Sequence, residues 1–387
     1  MLHPGVFVRM SNLFNFKNHF YCQSNMQQTI KFITIAVILI LIGACNTPRV
    51  SLGGTSASSK KTEITKTNKK RIMPASYTGI VSKGVPLPVH EKRGGHLGGF
   101  IDNRIIIAGG TNWSEDKSTK YFIQNSLILE KSKWTEGPSL PLPIAYSMYA
   151  CDGSGLYVAG GTSDGVSMLQ KGYVLRSLQR DAEWEELPDL PEPIGFGSGA
   201  LLNGVFYVSG GVLNTGERTN RMWALNLSNL KAGWHECSPI PGVPRILHCL
   251  VACGDFLYVL GGLAENSPLT PLQDAFRYND RNKNWEKLSD LPDKGYAWVA
   301  QPINDTNVLI TGKADGQIHG EIWTLNLNTM KMSMIGNLII PSATAPMIKV
   351  KNNQWWLIGG EPDSNKNRTE VTSIINIIEN QHENSIH

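Results

Sequence analysis

The chain has 387 residues, a formal net charge of +4, 41% hydrophobic and 18% charged residues, which supports a large packed core in one or two domains. The charge is only mildly basic, and much of the excess sits in the polar run Ser58–Arg71, so nothing here points to nucleic-acid binding. With 38 glycines, 21 prolines and no long amphipathic pattern with helix caps, short strands and many turns are expected.

In chain order, residues 1–45 read as a signal region. Met1–Asn25 carries no signal logic, and Met26 is a candidate start. From Met26 the sequence places one cation at Lys31, an apolar run Phe32–Ile42, then small residues before Cys45. The run is too short and too oddly flanked for a confident membrane span. Its ending "LIGAC" resembles a bacterial lipobox, which makes residues 26–45 a lipoprotein signal and Cys45 the lipidated N-terminus after cleavage. A plain secretory signal or an anchor helix is the alternative. Residues 46–76 read as a polar linker, 77–380 as the folded domain and 381–387 as a tail. Four cysteines remain outside the processed region, at 151, 237, 249 and 253. Cys249 and Cys253 are four apart in a predicted strand, about 13 Å at strand rise, too far to bridge. Buried thiols are the better reading.

The folded part repeats. Segments ending in diglycine recur at "NRIIIAGG" (to Gly110), "SGLYVAGG" (to Gly161), "NGVFYVSGG" (to Gly211), "GDFLYVLGG" (to Gly262), "TNVLITGK" (to Lys313) and "NQWWLIGG" (to Gly360), 51, 50, 51, 51 and 47 residues apart. Each follows a turn signal such as Asp102-Asn103 or Asn203-Gly204, which predicts a tight hairpin. Trp134, Trp184, Trp234 and Trp285 keep the same period, each seven residues before a proline, and Met332 takes the place in the fifth unit. An alternating strand lies between, as in "NRMWALNL". Each unit thus offers about four strands, and four strands cannot bury both faces alone. Six such blades packed radially can. The expected fold is all-β, a six-bladed propeller; diglycine followed by an aromatic at this period resembles the kelch repeat. The sixth unit ends after a third strand, Thr369–Ile378, whereas an unpaired piece, Tyr77–Pro88, precedes the first. The N-terminal strand is therefore expected to complete the C-terminal blade and close the ring.

Common enzyme motifs are absent: there is no phosphate loop, no G-x-S-x-G and no H-E-x-x-H. "GGHLGG" (Gly94–Gly99) precedes a strand rather than a helix, so nucleotide binding is not expected. His90, His96, His235, His248 and His319 are scattered, and no metal site is expected. Loops that converge on a propeller's channel are the natural ligand site. After the glycines stand Thr111, Thr162, Val212, Leu263, Lys313 and Glu361, so only the sixth unit supplies a carboxylate there. Glu361 is a candidate general acid and base, and Arg368, seven residues on, a candidate for pairing with an anion. Composition alone does not isolate this loop, because the third unit carries Glu217 and Arg218. Arg245 in "PGVPRILHC" is a further substrate-binding candidate, with a rim salt bridge as its plain alternative.

On these residues the chain resembles the bacterial N-acetylneuraminate (sialic acid) mutarotases, six-bladed kelch propellers also called epimerases, and within them a cyclically permuted branch. The family's opening is matched mid-chain by Leu187–Gly211 and then Trp234–Pro292, and its closing blades are matched by Gly94–Gly110. The resemblance covers roughly Tyr77–Ile378. It implies that "GGEPDSNKNRT" carries the active-site pair Glu361 and Arg368, and that Arg245 matches the family's arginine before an inner strand. It also implies reversible opening of a cyclic sugar acid, N-acetylneuraminate, with Glu361 moving the proton and Arg368, with Arg245, holding the carboxylate. No cofactor is implied, because a hemiketal opens by proton transfer alone. The expected setting is the cell envelope, with the protein held at the membrane through its lipid and facing the periplasm or in the outer membrane. Two other readings stay open: a kelch module binding carbohydrate or protein without catalysis, and a mutarotase for a different sugar.

Overall fold

Turn chemistry and alternation build each unit before any long-range contact does. Asp102 and Asn103 adopt φ of 49° and 59°, and Asn203 and Gly204 adopt 51° and 74°. Positive φ at both central residues is what a two-residue hairpin with the right twist requires. The computed structural model describes residues 76–380. Cys45 and its signal segment, the linker up to residue 75 and the tail 381–387 lie outside the described residues.

Six four-stranded antiparallel sheets form, each with its strands in spatial order from the axis outward. Blade 1 is Leu97–Ile101, Arg104–Ala108, Ser126–Glu130 and Lys133–Gly137. Blades 2 to 5 repeat the arrangement from Met148, Ser198, Cys249 and Val299. Blade 6 takes Met347–Lys351, Gln354–Ile358 and Thr372–Asn380, and its outermost strand is Ser76–Lys83. That strand pairs from Ser76↔Asn380 to Lys83↔Ser373, so the expected closure by the N-terminal strand is observed. The innermost strands of successive blades pack side by side, and that of blade 6 packs against that of blade 1. The only helical turns among the described residues are Val89–Glu91 and Leu230–Ala232, and none is long and apolar enough to cross a membrane.

The core is divided in six, one hydrophobic cluster between each pair of neighbouring blades. Its aromatic markers reach backward along the chain. The indole N–H groups of Trp134, Trp184, Trp234 and Trp285 donate to the carbonyls of Val85, Pro138, Pro188 and Ser238, in the segment leaving the preceding blade, at 2.8–3.3 Å. Val85 follows the closing strand, so Trp134 treats the N-terminal piece as the end of blade 6. Met332 stands in the tryptophan register of blade 5 and packs on the blade 4–5 cluster without the hydrogen bond. The diglycines sit where blades approach most closely. Gly109 has φ +66°, and a Cβ there would lie 2.2 Å from the Ile144 carbonyl oxygen of the next blade.

Two features depart from the simple repeat. The loop after Gly110 folds into its own hairpin, Thr111–Trp113 paired with Lys120–Phe122. In blade 4 the two middle strands run on as Phe256–Asn266 and Leu269–Asn279, crossing the diglycine with register shifts rather than stopping. The cysteines are unbridged, with Cys249 and Cys253 buried. Burial pushes the Cys249 thiol up to about 12 and the Cys253 thiol to about 11.

Candidate active site at the mouth of the central channel

The six innermost strands enclose a channel of about 530 Å³ along the axis. At one end each blade presents a residue just before its inner strand: Gly95, Tyr146, Phe196, Leu247, Ala297 and Thr344, all lining the channel. All six have positive φ, between 51° and 67°. Their amides form a chain of hydrogen bonds around the axis. Gly95 donates to Thr344, Tyr146 to Gly95, Phe196 to Tyr146, Leu247 to Phe196 and Ala297 to Leu247, at 2.7–2.9 Å. A left-handed conformation costs a non-glycine residue about 1–2 kcal/mol, and these bonds hold five such residues in it. The result is a chain of five backbone bonds around this end of the channel, open between Ala297 and Thr344.

The loops after the diglycines gather at the same end. Backbone bridges place Thr111 beside Gly94, Thr162 beside Ala145, Val212 beside Gly195, Leu263 beside Ile246 and Glu361 beside Ala343. In blade 5 the equivalent residue is Ala314, beside Tyr296, and not Lys313 as the sequence register had it. Lys313 replaces the second glycine and pairs with Asp293 at 2.9 Å. Glu361 is still the one carboxylate among the six positions.

Glu361 and Arg368 are brought together, with Arg368 Nη2 3.3 Å from Glu361 Oε1. The same carboxylate oxygen accepts the Tyr146 hydroxyl at 2.9 Å and the Thr344 hydroxyl at 3.0 Å. No described residue hydrogen-bonds Oε2. Glu361 is thus fixed by one oxygen and offers the other, on a side chain 18% exposed beside the channel mouth. Arg368, by contrast, is 3% exposed at its side chain. Its Nε donates to the Thr111 carbonyl, Nη1 to the Asn367 carbonyl, and Nη2 to Thr111 Oγ1 and Tyr146 Oη, beside the ion pair with Glu361. Tyr146 stacks on Phe196 of the next blade at 4.7 Å between ring centroids, and its hydroxyl also accepts from Lys120 Nζ at 3.1 Å.

The glycines of "GGHLGG" make room for this group. A Cβ on Gly94 would lie 2.8 Å from Arg368 Nε and 2.9 Å from Glu361 Cγ, and one on Gly95 would lie 2.6 Å from the Tyr146 ring. The segment leads into a strand as expected; Gly94 and Gly95 border the Glu361–Arg368 pair, whereas Gly98 and Gly99 lie in the strand against Pro346 and Cys151. His96, inside this segment, is buried, and burial holds its imidazole well below the usual range. His248, at the same register in blade 4, is held down to about 3 by burial and by Arg245, and shares a hydrogen bond with Ser209 Oγ at 2.9 Å. Both histidines are neutral packing groups. No group of three or more His, Cys, Asp or Glu among the described residues is placed to hold a metal ion.

Arg245 does not join the site. It is fully buried before blade 4, with Nη1 and Nη2 on Asp274 at 2.6 and 2.8 Å and a further bond from Nη1 to the Gly261 carbonyl at 3.1 Å. All its donors are taken by Asp274 and by backbone carbonyls, and it makes no contact with Glu361 or Arg368. The look-alike pair of the third unit is not assembled either, since Arg218 Nη1 is turned to the Leu263 carbonyl at 2.6 Å. Tyr146 and Thr344 escaped the sequence reading. The signal was present, because the segments "AYSMYA" and "ATAPMI" align with "GFGSGA" and "YAWVAQ" and carry the two hydroxyls of the ring.

Fold and site together define a six-bladed propeller with a carboxylate–arginine–tyrosine cluster at one mouth of its channel. The chain belongs to the kelch-repeat family described as the KLHDC2/KLHL20/DRC7 Kelch-repeats domain, whose model matches residues 95–296. No curated protein matches the chain significantly.

Proposed function

We propose that the protein is a sialic acid mutarotase that interconverts the α- and β-anomers of N-acetylneuraminate. The observation that carries this reading is the half-bound carboxylate of Glu361: the Tyr146 and Thr344 hydroxyls donate to Oε1, Arg368 pairs with it by charge, and Oε2 is left to meet a ligand. A base held this way needs no reorganisation when it takes a proton. Glu361 removes the proton of the anomeric hydroxyl, and the carbon–oxygen bond to the ring oxygen breaks with its electron pair going to that oxygen. The ring oxygen then takes the proton, leaving an open-chain ketone. Closure on the other face of the carbonyl reverses each step and gives the other anomer. Arg368 orients Glu361 and Tyr146 through its bonds to both. The sequence resemblance to the permuted mutarotase branch supports the choice of sugar, and the lipobox-like segment ending at Cys45 supports a lipid-anchored place in the cell envelope.

The test is NMR of freshly released α-N-acetylneuraminate with and without protein. Accelerated exchange between anomers is expected, and Glu361→Gln should slow it by roughly 10²–10⁴ while the sugar still binds. Exchange unchanged at stoichiometric wild-type protein would sink the reading. Binding without acceleration would favour the second one, a kelch module that holds a carbohydrate or protein without catalysis, which the family match accommodates equally well.

A further inference from the structure

We propose that Lys120, and not Arg368, is the cation that receives the carboxylate of the substrate. The inference rests on the mutarotase reading and assigns a residue that reading lacks. Arg368 is buried, and each of its guanidinium nitrogens already donates to protein. A ligand carboxylate would have to displace Glu361 or a backbone carbonyl to reach it. Lys120 begins the second strand of the short hairpin that departs from the blade pattern, and its Nζ donates to Tyr146 Oη at 3.1 Å. The ammonium stands 4.6, 5.6 and 5.8 Å from the ring centroids of Tyr146, Phe122 and Trp113. Aromatic faces attract and orient a cation without neutralising it, and no described carboxylate forms an ion pair with Lys120. Lys366 adds a second positive charge on the same indole, 4.3 Å from the Trp113 ring, and it too lacks a described carboxylate partner.

Distance makes this cation selective. In a 2-keto sugar acid the carboxylate and the anomeric hydroxyl share one carbon, so the group that reads the carboxylate must stand within a few ångströms of the base. One hydroxyl, that of Tyr146, separates Lys120 Nζ from Glu361 Oε1, with legs of 3.1 and 2.9 Å. A uronic acid carries its carboxylate on the far side of the ring oxygen and would not satisfy both groups at once. Tyr146 touches both and fixes their separation.

The experiment compares N-acetylneuraminate with its methyl ester, which keeps the anomeric carbon and removes the charge. For Lys120→Met the KM and the Kd for the acid should rise about tenfold or more, with those for the ester held within about twofold. Lys120→Arg should restore most of the difference. Arg368→Lys should lower kcat for acid and ester alike and leave the ratio of their KM values unchanged. Equal effects of Lys120→Met on acid and ester, or no effect on either, overturn the assignment while leaving the mutarotase reading standing. If the wild-type protein does not accelerate exchange, that reading fails, and NMR titration still decides the assignment. Weaker binding of the acid alone to Lys120→Met supports it, and equal binding, or no binding of the acid to wild type, overturns it.

Discussion

Arg245 and Arg93 occupy the same register of blades 4 and 1, and each turns a fully buried guanidinium onto the carbonyl of the first residue of its own blade's diglycine, Gly261 at 3.1 Å and Gly109 at 3.2 Å. Each also has a carboxylate partner, Asp274 and Glu91. Removing one member of such a buried pair costs about 3–5 kcal/mol. Arg245→Met should therefore fall toward the lower end of that range by chemical denaturation, because Asp274 keeps some contact with water, and it should leave the Kd for the sugar acid unchanged. His248 gives a pH prediction of definite sign. Its folded-state value is held down to about 3, so its contribution is fully present above the unfolded value near 6.5. As pH falls below that, the unfolded chain takes the proton and the folded one does not, and stability drops by up to about 1.4 kcal/mol per pH unit. His96 acts in the same direction. The Tm should decline from pH 6.5 to pH 4, and less steeply in His248→Asn; an equal slope in the two proteins would remove the assignment. At this scale Glu361 stood out because one repeat position carried a carboxylate the others lacked, whereas Arg368 was singled out from the like-placed Arg218 only by the family resemblance. Lys120 was not legible, because its place depends on a hairpin that the repeat does not contain.

Among elements, the closing strand Ser76–Lys83 ties the two ends of the propeller together. It pairs along all its residues with Thr372–Asn380 and brings Tyr77 and Val81 into the cluster between blades 5 and 6. Asn304 of blade 5 also donates to the Tyr77 hydroxyl at 2.9 Å. Deleting residues 76–83 should cost at least about 3 kcal/mol, the scale of emptying one large aromatic site. It should also expose an unpaired strand edge that promotes association. Thermal unfolding and size-exclusion chromatography check both, and an unshifted, monodisperse variant would contradict the closure. This strand was readable from counting, since five units had four strands and the sixth had three. Its inner boundary was less so: the third strand of blade 6 starts at Thr372 rather than Thr369, because Arg368 and Thr369 belong to the site loop. The continuous hairpin Phe256–Asn279 was missed for a related reason. A diglycine usually marks a strand end here, yet in blade 4 the ladder resumes at Gly262↔Leu272 after a bulge.

Across the whole molecule, the sixfold count and the closed ring follow from periodicity alone. The hydrophobic pattern and turn residues repeat, and a unit that cannot bury both faces must stack on its neighbours. The sequence by itself determined the blade number, the closing strand and the singular carboxylate at Glu361, because each of these is a property of one register compared with its repeats. Only the tertiary structure decided which charges meet. Tyr146 and Thr344 come to Glu361 from 215 and 17 residues away, and Arg245 is withdrawn from the mouth by Asp274. Side-chain partnership depends on the direction each residue takes from a left-handed backbone ring. Residue type and spacing do not encode that direction; the packing of six blades around one axis does.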